Sequence, residues 1–157
     1  MGKKHQSCTM LFVNPQGEVL MLLRDDNPGI PYPNMWDLPG GHMEKDESPR
    51  ECICREMQEE LPGLDLGNFR KFQVIEFPER TDHLFWTRID VKERTLNRTL
   101  REGQRVAWMN LGKIRKAKVA FGFRDVLEAF FDRPERGLLD LGSRACRESA
   151  RNRFHRK

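Results

Sequence analysis

The amino-acid sequence predicts a single α/β domain built in layers around a mixed β-sheet. Apolar segments of strand length alternate with two segments of helical periodicity, an order of elements typical of α/β folds. The chain has 157 residues, close to the size of one domain, and contains no linker or internal repeat that would divide it. With 38% hydrophobic residues and ten phenylalanines, a chain of this length can bury a core without a structural metal or disulfide.

Six segments are predicted to be β-strands because they are short, apolar and bounded by turn residues. The turn sequence Asn14-Pro15-Gln16-Gly17 lies between the first two segments, which we expect to form a hairpin. The second segment is almost entirely apolar, which indicates a strand covered on both faces. The predicted strands span residues 7–13, 18–24, 35–38, 69–77, 83–91 and 105–109.

Two helices are predicted. The first covers residues 49–61: Ser48 is a favourable N-cap, Pro49 suits the first helical position, and Glu51 completes a Ser-x-x-Glu capping box. Pro62-Gly63 ends this helix. The second covers residues 121–131. Its apolar side chains, expected to face a core, are Val126, Leu127, Phe130 and Phe131.

The net charge of +4 is concentrated at the C-terminus. Residues 133–157 hold eight Arg or Lys and three Asp or Glu, and the remainder holds twenty basic and twenty-one acidic residues. We therefore expect a domain over residues 1–133 and a basic tail over residues 134–157 that is partly helical or disordered. This tail is a solvated end, a contact for RNA or another polyanion, or an oligomer contact.

The cysteines show no zinc-binding spacing, since Cys52 and Cys54 would lie about 200° apart on a helix. We expect these two, Cys8 and Cys146 to be reduced thiols in a cytoplasmic protein. No apolar run is long enough for a signal peptide or a membrane span, so no membrane association is expected.

Three carboxylates occupy an unfavourable position on the first helix. Glu56, Glu59 and Glu60 share an arc of about 100°, where like charges repel. Two of them lie in the last turn, where the helix dipole disfavours anions. A solvated acidic face is one interpretation. A hard divalent cation above the cluster is the other, and a glycine pair that allows close backbone approach lies one loop upstream.

The spacing of these residues carries a family resemblance. From Gly41 the chain reads five residues, Glu47, seven residues, and then Arg55-Glu56-Met57-Gln58-Glu59-Glu60. This resembles the Nudix box, G-x5-E-x7-R-E-U-x-E-E-x-G-U, in which U is a bulky aliphatic residue. The preceding segment WDLPG at residues 36–40 is similar to the one found in MutT-like Nudix hydrolases. One residue is inserted at the helix end, where Pro62-Gly63 replaces the glycine of the pattern.

The resemblance implies an α/β/α sandwich around a mixed β-sheet. It also implies Mg²⁺- or Mn²⁺-dependent hydrolysis of a nucleoside diphosphate linked to another moiety X. The implied metal ligands, transferred position by position, are Gly40 through its carbonyl, Glu56, Glu59, Glu60 and Glu102. Either Glu59 or Glu102 is the implied general base. Arg55 would hold the cluster in shape by pairing with Glu47 or a helix glutamate.

Substrate-binding candidates lie outside the box. Rings of Tyr32, Trp36 and Phe85 could stack on a base, and Arg24 and Arg80 could reach phosphates, although packing or surface roles are alternatives for each. The second predicted helix begins with Phe121-Gly122-Phe123, where family members acting on oxidised guanine nucleotides tend to carry Asn just before the last helix. The sequence thus argues against a close copy of that base site.

Three functional hypotheses follow. The first is a metal-dependent pyrophosphohydrolase acting on a small nucleotide substrate such as a nucleoside triphosphate or nucleotide sugar. The second is a Nudix-fold sensor that binds a nucleotide without cleaving it. In the third, the enzyme processes RNA 5′ ends and the basic tail docks the transcript. The sequence is compatible with either a monomer or a homodimer.

Overall fold

The computed structural model describes residues 2–133. The predicted basic tail at residues 134–157 therefore lies outside the described residues. The chain divides into two compact units, the first ending at Phe123 and the second beginning at Arg124.

The described residues form seven strands and four helices. The strands are β1 (His5–Val13), β2 (Val19–Leu23), β3 (Trp36–Asp37), β4 (Gly40–His42), β5 (Arg70–Glu76), β6 (Arg80–Arg88) and β7 (Arg105–Met109). The helices are α1 (Pro49–Glu60), α2 (Glu93–Thr99), α3 (Leu111–Lys116) and α4 (Phe123–Asp132).

All seven strands belong to one mixed sheet, as predicted. Its main order is β3-β2-β1-β6-β5, with β4 paired to β1 and β7 paired to β2. The pair β1–β6 is parallel and every other pair is antiparallel, including the predicted hairpin of β1 and β2. The central strand β1 therefore has β4 beside its first half on one side and β6 along its whole length on the other.

The centre of the sheet, strands β1 and β2, is buried on both faces. Cys8, Met10 and Phe12 of β1 contact the core formed with α1, and the alternate side chains Leu11 and Val13 are also buried. Helix α1 packs on β1 and β4. Its apolar stripe of Ile53, Met57 and the following Leu61 is buried, which confirms the helical periodicity of the sequence.

One strand boundary is wrong and one helix was not predicted, and polar side chains explain both differences. Strand β6 was expected to begin at residue 83 but begins at Arg80, because its polar side chains find partners. The Thr81 hydroxyl donates to Glu76 and the Thr9 hydroxyl donates to Asp82. Helix α2 has only Leu96 buried, so its sequence shows no apolar stripe. It is instead fixed by Asn97, whose amide group bonds both backbone groups of Val106.

The structure contradicts the expectation of four reduced thiols, because Cys8 of β1 and Cys52 of α1 form a disulfide. The two residues are 44 positions apart, and both are completely buried. Their side chains meet because α1 packs directly on β1, a contact that cysteine spacing alone does not reveal. Cys54 is a free, half-buried cysteine.

Helix α4 corresponds to the predicted second helix. Leu127, Phe130 and Phe131 are buried, and Val126 is half-buried. Among residues 2–133, no helix has the length and apolar character needed to span a bilayer.

Candidate active site

A cleft of about 750 Å³ lies in the first compact unit, and most of the predicted site residues line it. It runs along β1 and β4, with α1 on one side and the loops before β3 and β7 contributing further walls. The cleft surface includes seven of the predicted residues, which are Arg24, Tyr32, Gly40, Glu56, Glu59, Arg80 and Glu102, whereas Glu60 and Arg55 do not line it.

Helix α1 begins where the capping box places it. The Glu51 backbone N–H donates to the Ser48 hydroxyl, and the Ser48 N–H donates to the Glu51 carboxylate. These two hydrogen bonds fix the first turn of the helix. In the last turns of the same helix, Glu56 lies beside Gly41 and Glu60 accepts from the N–H of Gly40.

The glycine pair lets the helix carboxylates approach the backbone. The N–H of Gly40 donates to Glu60 at 3.2 Å. A Cβ atom at Gly41 would collide with the Glu56 carboxylate, and one at Gly40 would collide with the Cys8 carbonyl oxygen. Only glycine therefore permits this contact between β4 and α1.

Glu60 is a buried carboxylate beside the glycine pair that lines the cleft. The residue is 5% exposed, and among residues 2–133 no basic side chain forms an ion pair with it. Burial, followed by the carboxylates of Glu102, Glu56 and Asp37, raises the pKa of Glu60 to about 9. Burial also raises the pKa of Glu56, against the opposing effect of Arg55. Removal of these carboxylates from water is costly unless a positive charge compensates them.

Arg55 forms the centre of a hydrogen-bond network. Its Nε and Nη2 donate to the two oxygens of Glu47 at 2.7 and 3.1 Å, which is a bidentate pair. Its Nη1 donates to Glu56 at 2.9 Å and to Glu59 at 3.3 Å, and Nη2 also donates to the carbonyl of His42. The guanidinium thus ties the loop after β4 to helix α1.

The carboxylates of this region are the kind of donor that suits a hard divalent cation. Carboxylate oxygens are the ligands that Mg²⁺ and Mn²⁺ prefer. Within residues 2–133, however, no three His, Cys, Asp or Glu side chains converge closely enough to form a ready cage. Arg55 forms ion pairs with Glu56 and Glu59, and the charge of Glu102 acts on Glu60.

Arg24 lies on the cleft in an ion pair. Its Nη1 donates to Asp37 at 3.0 Å and its Nε donates to the carbonyl of Pro31. Asp37 is buried, and burial raises its pKa to about 6 despite the opposing charge of Arg24. Arg24 therefore ties the loop before β3 to Asp37 of that strand.

Aromatic rings and Arg80 form another part of the cleft surface. The rings of Tyr32 and Phe121 lie 4.6 Å apart, and the Arg24 guanidinium is 4.9 Å from the Phe121 ring. The Arg80 guanidinium lies 3.8 Å from the Phe77 ring and donates to the carbonyl of Phe121. Tyr32 is 45% exposed, so its ring is accessible.

Two sequence-based substrate candidates do not line the cleft. Phe85 is buried and packs edge-to-face against Phe69 in the core below α1. Trp36 is half-buried on β3 with the guanidinium of Arg105 4.9 Å from its ring. The structure therefore places both rings in packing contacts outside the cleft.

Sequence reasoning did not single out the polar floor of the cleft. Ser7, Thr9 and Asp82 line it, and Thr9 donates to both carboxylate oxygens of Asp82 at 2.9 and 3.1 Å. Burial raises the pKa of Asp82. The only sequence signal was an Asp just before the apolar residues 84–86, and it fell outside the strand because that strand was expected to begin at residue 83.

Comparison with known proteins places the chain in a family. A family model described as NUDIX domain matches residues 3–130. The 8-oxo-dGTP diphosphatase of Escherichia coli (strain K12) is 32% identical over 113 residues, covering 69% of this chain and 82% of the relative.

The chain is also similar in sequence to a second relative and in fold to a solved structure. An RNA pyrophosphohydrolase of Gluconacetobacter diazotrophicus is 42% identical over 59 residues, covering 36% of this chain and 34% of the relative. A crystal structure of the MutT protein from Methanosarcina mazei Go1 superposes with a TM-score of 0.60 at 30% identity, covering 83% of this chain and 95% of that one.

Proposed function

The chain belongs to the Nudix family as a MutT-like pyrophosphohydrolase, and from that premise we propose that it uses a divalent cation, Mg²⁺ or Mn²⁺, bound at the helix glutamates. The substrate is a nucleoside diphosphate linked to X, either a nucleoside triphosphate or a nucleotide sugar. The reaction is hydrolysis of the phosphoanhydride bond by water.

The burial of Glu60 is the observation that carries this proposal. Its carboxylate lies 5% exposed beside three other acidic side chains and has a backbone N–H as its hydrogen-bond donor. A protein selected only for stability would place an apolar or basic residue there. The free energy lost by burying this carboxylate is recovered if a cation binds beside it during catalysis.

The residues that would hold the cation are the carboxylates of Glu56, Glu59, Glu60 and Glu102 and the carbonyl of Gly40. A divalent cation at this place supplies charge neutralisation on the bridging phosphates and lowers the pKa of water. Arg55 is a positioning residue, because its bonds to Glu47 and Glu56 set where these carboxylates lie.

The general base is one of two carboxylates on the cleft. The Glu59 carboxylate accepts a hydrogen bond from Arg55 Nη1 at 3.3 Å, so the guanidinium already occupies it. Glu102 lies exposed before β7, and within residues 2–133 it forms no ion pair. This difference favours Glu102 as the group that accepts the proton of water.

Substrate contacts follow from the residues that line the cleft. Arg24 presents a guanidinium toward the phosphates or the base, and Tyr32 offers an exposed ring for stacking. Trp36 and Phe85 have no part in this proposal because neither lines the cleft.

The test is a panel of nucleoside triphosphates and nucleotide sugars with Mg²⁺ or Mn²⁺, with identification of the bond that breaks. We expect Glu60→Gln to reduce kcat by at least about a hundredfold while the protein remains folded. Asp90→Asn is the matched control, because it removes one negative charge at an exposed position outside the cleft. Normal turnover by Glu60→Gln, or binding without cleavage by the parent protein, would refute the proposal.

RNA with a 5′ triphosphate is a second candidate substrate, favoured by the 42% identity to an RNA pyrophosphohydrolase over 59 residues. The full chain should then release pyrophosphate from a short 5′-triphosphate RNA with a higher kcat/KM than from the free nucleoside triphosphate. This advantage should fall with rising salt if phosphate contacts in the RNA contribute. Equal kcat/KM values for the two substrates would exclude it.

A further inference from the structure

Helix α2 and the residues that flank it carry a local excess of positive charge. Residues 92–101 hold four basic side chains and one acidic side chain. Residues 1–91 and 102–132 together hold sixteen basic and twenty acidic ones, so the rest of this region is net negative. The four exposed basic side chains of the segment, which we call the basic stripe, are Lys92, Arg94, Arg98 and Arg101.

The basic stripe has no acidic partner in the protein. Within residues 2–133, none of its four side chains forms an ion pair. The one acid of the segment, Glu93, is half-buried, and its carboxylate accepts from the backbone N–H of Trp108. Leu96 and Asn97 complete the contacts of α2, since one is buried and the other bonds the backbone of Val106. The charges of the stripe are therefore available to a ligand.

Two arginines of the stripe are placed unfavourably for the stability of α2. Arg94 and Arg98 lie one turn apart, about 6 Å along the helix axis, where like charges repel. Arg94 also lies in the first turn, where the helix dipole disfavours a cation. An acidic residue at position 94 would remove both penalties. A bound polyanion would remove the repulsion as well, which gives these arginines a role in binding.

The stripe ends at the rim of the cleft. The backbone N–H of Arg101 donates to the carbonyl of Glu60 at 3.0 Å, and the next residue, Glu102, lines the cleft. From Lys92 to Arg101 the segment spans about 15 Å at the rise of a helix. That length corresponds to about four nucleotides of a stacked single strand. The stripe therefore extends the cleft in a direction that a polynucleotide can follow and a free nucleotide cannot.

The side chains between the cations suit a nucleic acid better than a membrane or a protein. Thr95 and Thr99 are exposed on α2, and hydroxyl and guanidinium groups are common contacts of nucleic-acid phosphates. The one apolar side chain of α2, Leu96, is buried, so this helix has no apolar group to insert into a bilayer. The helix also lacks the aromatic anchors that dominate binding between proteins.

From this arrangement we infer that the basic stripe binds the first phosphodiesters of a single-stranded RNA whose 5′ end lies in the cleft. RNA is the nucleic acid whose chains begin with a 5′ triphosphate, the kind of group that the cleft would hydrolyse. This inference rests on the proposed function, since it assigns a docking surface for the second candidate substrate. The stripe is formed by the described domain and is separate from the basic residues 134–157.

Fluorescence anisotropy of the full chain tests the binding. The probe is a short single-stranded RNA with a 5′ monophosphate and a 3′ fluorophore, which is the product of the proposed reaction and is not consumed. Arg94→Gln/Arg98→Gln should weaken binding about fivefold, the effect of two exposed charge pairs. It should also reduce the slope of log K against log salt by about 1.4, as expected for two phosphate contacts on a single strand.

Two further variants separate local charge from other effects. Arg94→Lys/Arg98→Lys keeps both charges and should bind RNA within about twofold of the parent, because lysine also binds phosphate. Arg70→Gln/Lys71→Gln is the matched control and should change neither the affinity nor the salt slope. It removes two exposed charges from β5, which β6 and β1 separate from β2 and its partner β7.

Steady-state kinetics separate the stripe from the cleft. With a short 5′-triphosphate RNA, Arg94→Gln/Arg98→Gln should raise KM about fivefold and leave kcat unchanged, because the lost contacts hold the body of the RNA. With a free nucleoside triphosphate, the same variant should change neither constant. Both substitutions are at exposed positions, and circular dichroism checks that the fold is retained.

Unchanged RNA affinity in Arg94→Gln/Arg98→Gln, an equal loss in the β5 control, or an equal rise in KM for the free nucleotide would overturn the inference. Tighter binding of anionic phospholipid vesicles than of RNA would also overturn it. Stripe-dependent RNA binding without hydrolysis of any triphosphate would contradict only the proposed function. Hydrolysis of nucleotides with RNA binding that does not depend on the stripe would contradict only this inference.

Discussion

At the scale of single residues, one arginine organises the acidic site. Arg55 bonds Glu47, Glu56, Glu59 and the carbonyl of His42, so its guanidinium links two segments of the chain. A lysine has one ammonium group and lacks the planar fork that allows the bidentate pair with Glu47. The geometry of the carboxylates therefore depends on arginine at this position and not on positive charge alone.

Replacement of Arg55 by Lys should lower kcat/KM by about 10- to 100-fold and weaken Mn²⁺ binding, as loss of supporting contacts around a metal site typically does. Steady-state kinetics and a Mn²⁺ titration measure the two effects. Arg70→Lys, at an exposed position on β5, is the control. Unchanged Mn²⁺ affinity in Arg55→Lys would mean that Arg55 does not position the carboxylates.

The buried Glu60 predicts how the stability of the metal-free protein changes with pH. Its pKa of about 9 exceeds the ordinary value of 4.5, so the folded state keeps a proton that the unfolded chain has lost between these values. The free energy of unfolding should therefore fall as pH rises through this range. Asp37, with a pKa of about 6 in place of 3.8, acts in the same direction at lower pH.

Urea unfolding in EDTA at pH 7, 8 and 9 measures this slope. The interval lies above the titration of His83, whose pKa is lowered by burial. Glu60→Gln should give a flatter dependence than the parent, whereas Asp90→Asn should retain it. A parent protein with constant stability from pH 7 to 9 would show that Glu60 is not held protonated.

The sequence predicted individual residues well where spacing along one helix decides their position. Glu56, Glu59 and Glu60 share a helix face whatever the rest of the fold does. The sequence did not predict which side chains of the strands line the cleft, because the face that a strand residue occupies depends on pairing with other strands. For Phe85, stacking on a base and packing were both open, and the structure places it in the core below α1. Asp82, in the same strand, lies on the other face and lines the cleft.

At the scale of elements, the capping box is the feature that sets the start of α1. The reciprocal bonds between Ser48 and Glu51 match the motif read from the sequence, and Pro49 occupies the first turn. The missed helix α3 has a comparable signal in Asn110, whose side chain accepts from the Lys113 N–H. With six residues and only Ile114 buried, α3 is too short to show a periodic pattern.

Removal of the cap should destabilise the protein without changing the chemistry of the site. Ser48→Ala should lower the free energy of unfolding by about 1 kcal/mol, because the Glu51 N–H loses its acceptor. Ser48→Thr keeps a hydroxyl and should lose less. Equilibrium urea unfolding measures both, and equal stability of Ser48→Ala and the parent would contradict the role of the cap.

At the scale of the whole molecule, long-range contacts separate what the sequence could and could not predict. The mixed sheet, the first hairpin and both predicted helices follow from local patterns and are confirmed. The disulfide between Cys8 and Cys52 does not, because it depends on the packing of α1 on β1. The short strand β4 was missed for the same reason, since Gly40–His42 becomes a strand only by pairing with β1.

The disulfide closes a long loop and should stabilise the fold by about 2–4 kcal/mol. Urea unfolding with and without dithiothreitol measures this difference. Mass spectrometry after alkylation in denaturant should show Cys8 and Cys52 modified only when the reductant is present. Cys54→Ser, which removes the free cysteine, should leave the effect of the reductant unchanged. Full alkylation of Cys8 and Cys52 without reductant would contradict the bond.

The central claim is that the acidic side chains around Glu60 receive a divalent cation. Anomalous diffraction from a crystal of the full chain soaked in Mn²⁺ tests this most directly. We predict an anomalous peak among the carboxylates of Glu56, Glu60 and Glu102, near the Gly40 carbonyl, that disappears in Glu60→Gln. A crystal in which no peak lies among these groups, or in which Mn²⁺ binds elsewhere in the cleft, would contradict the account.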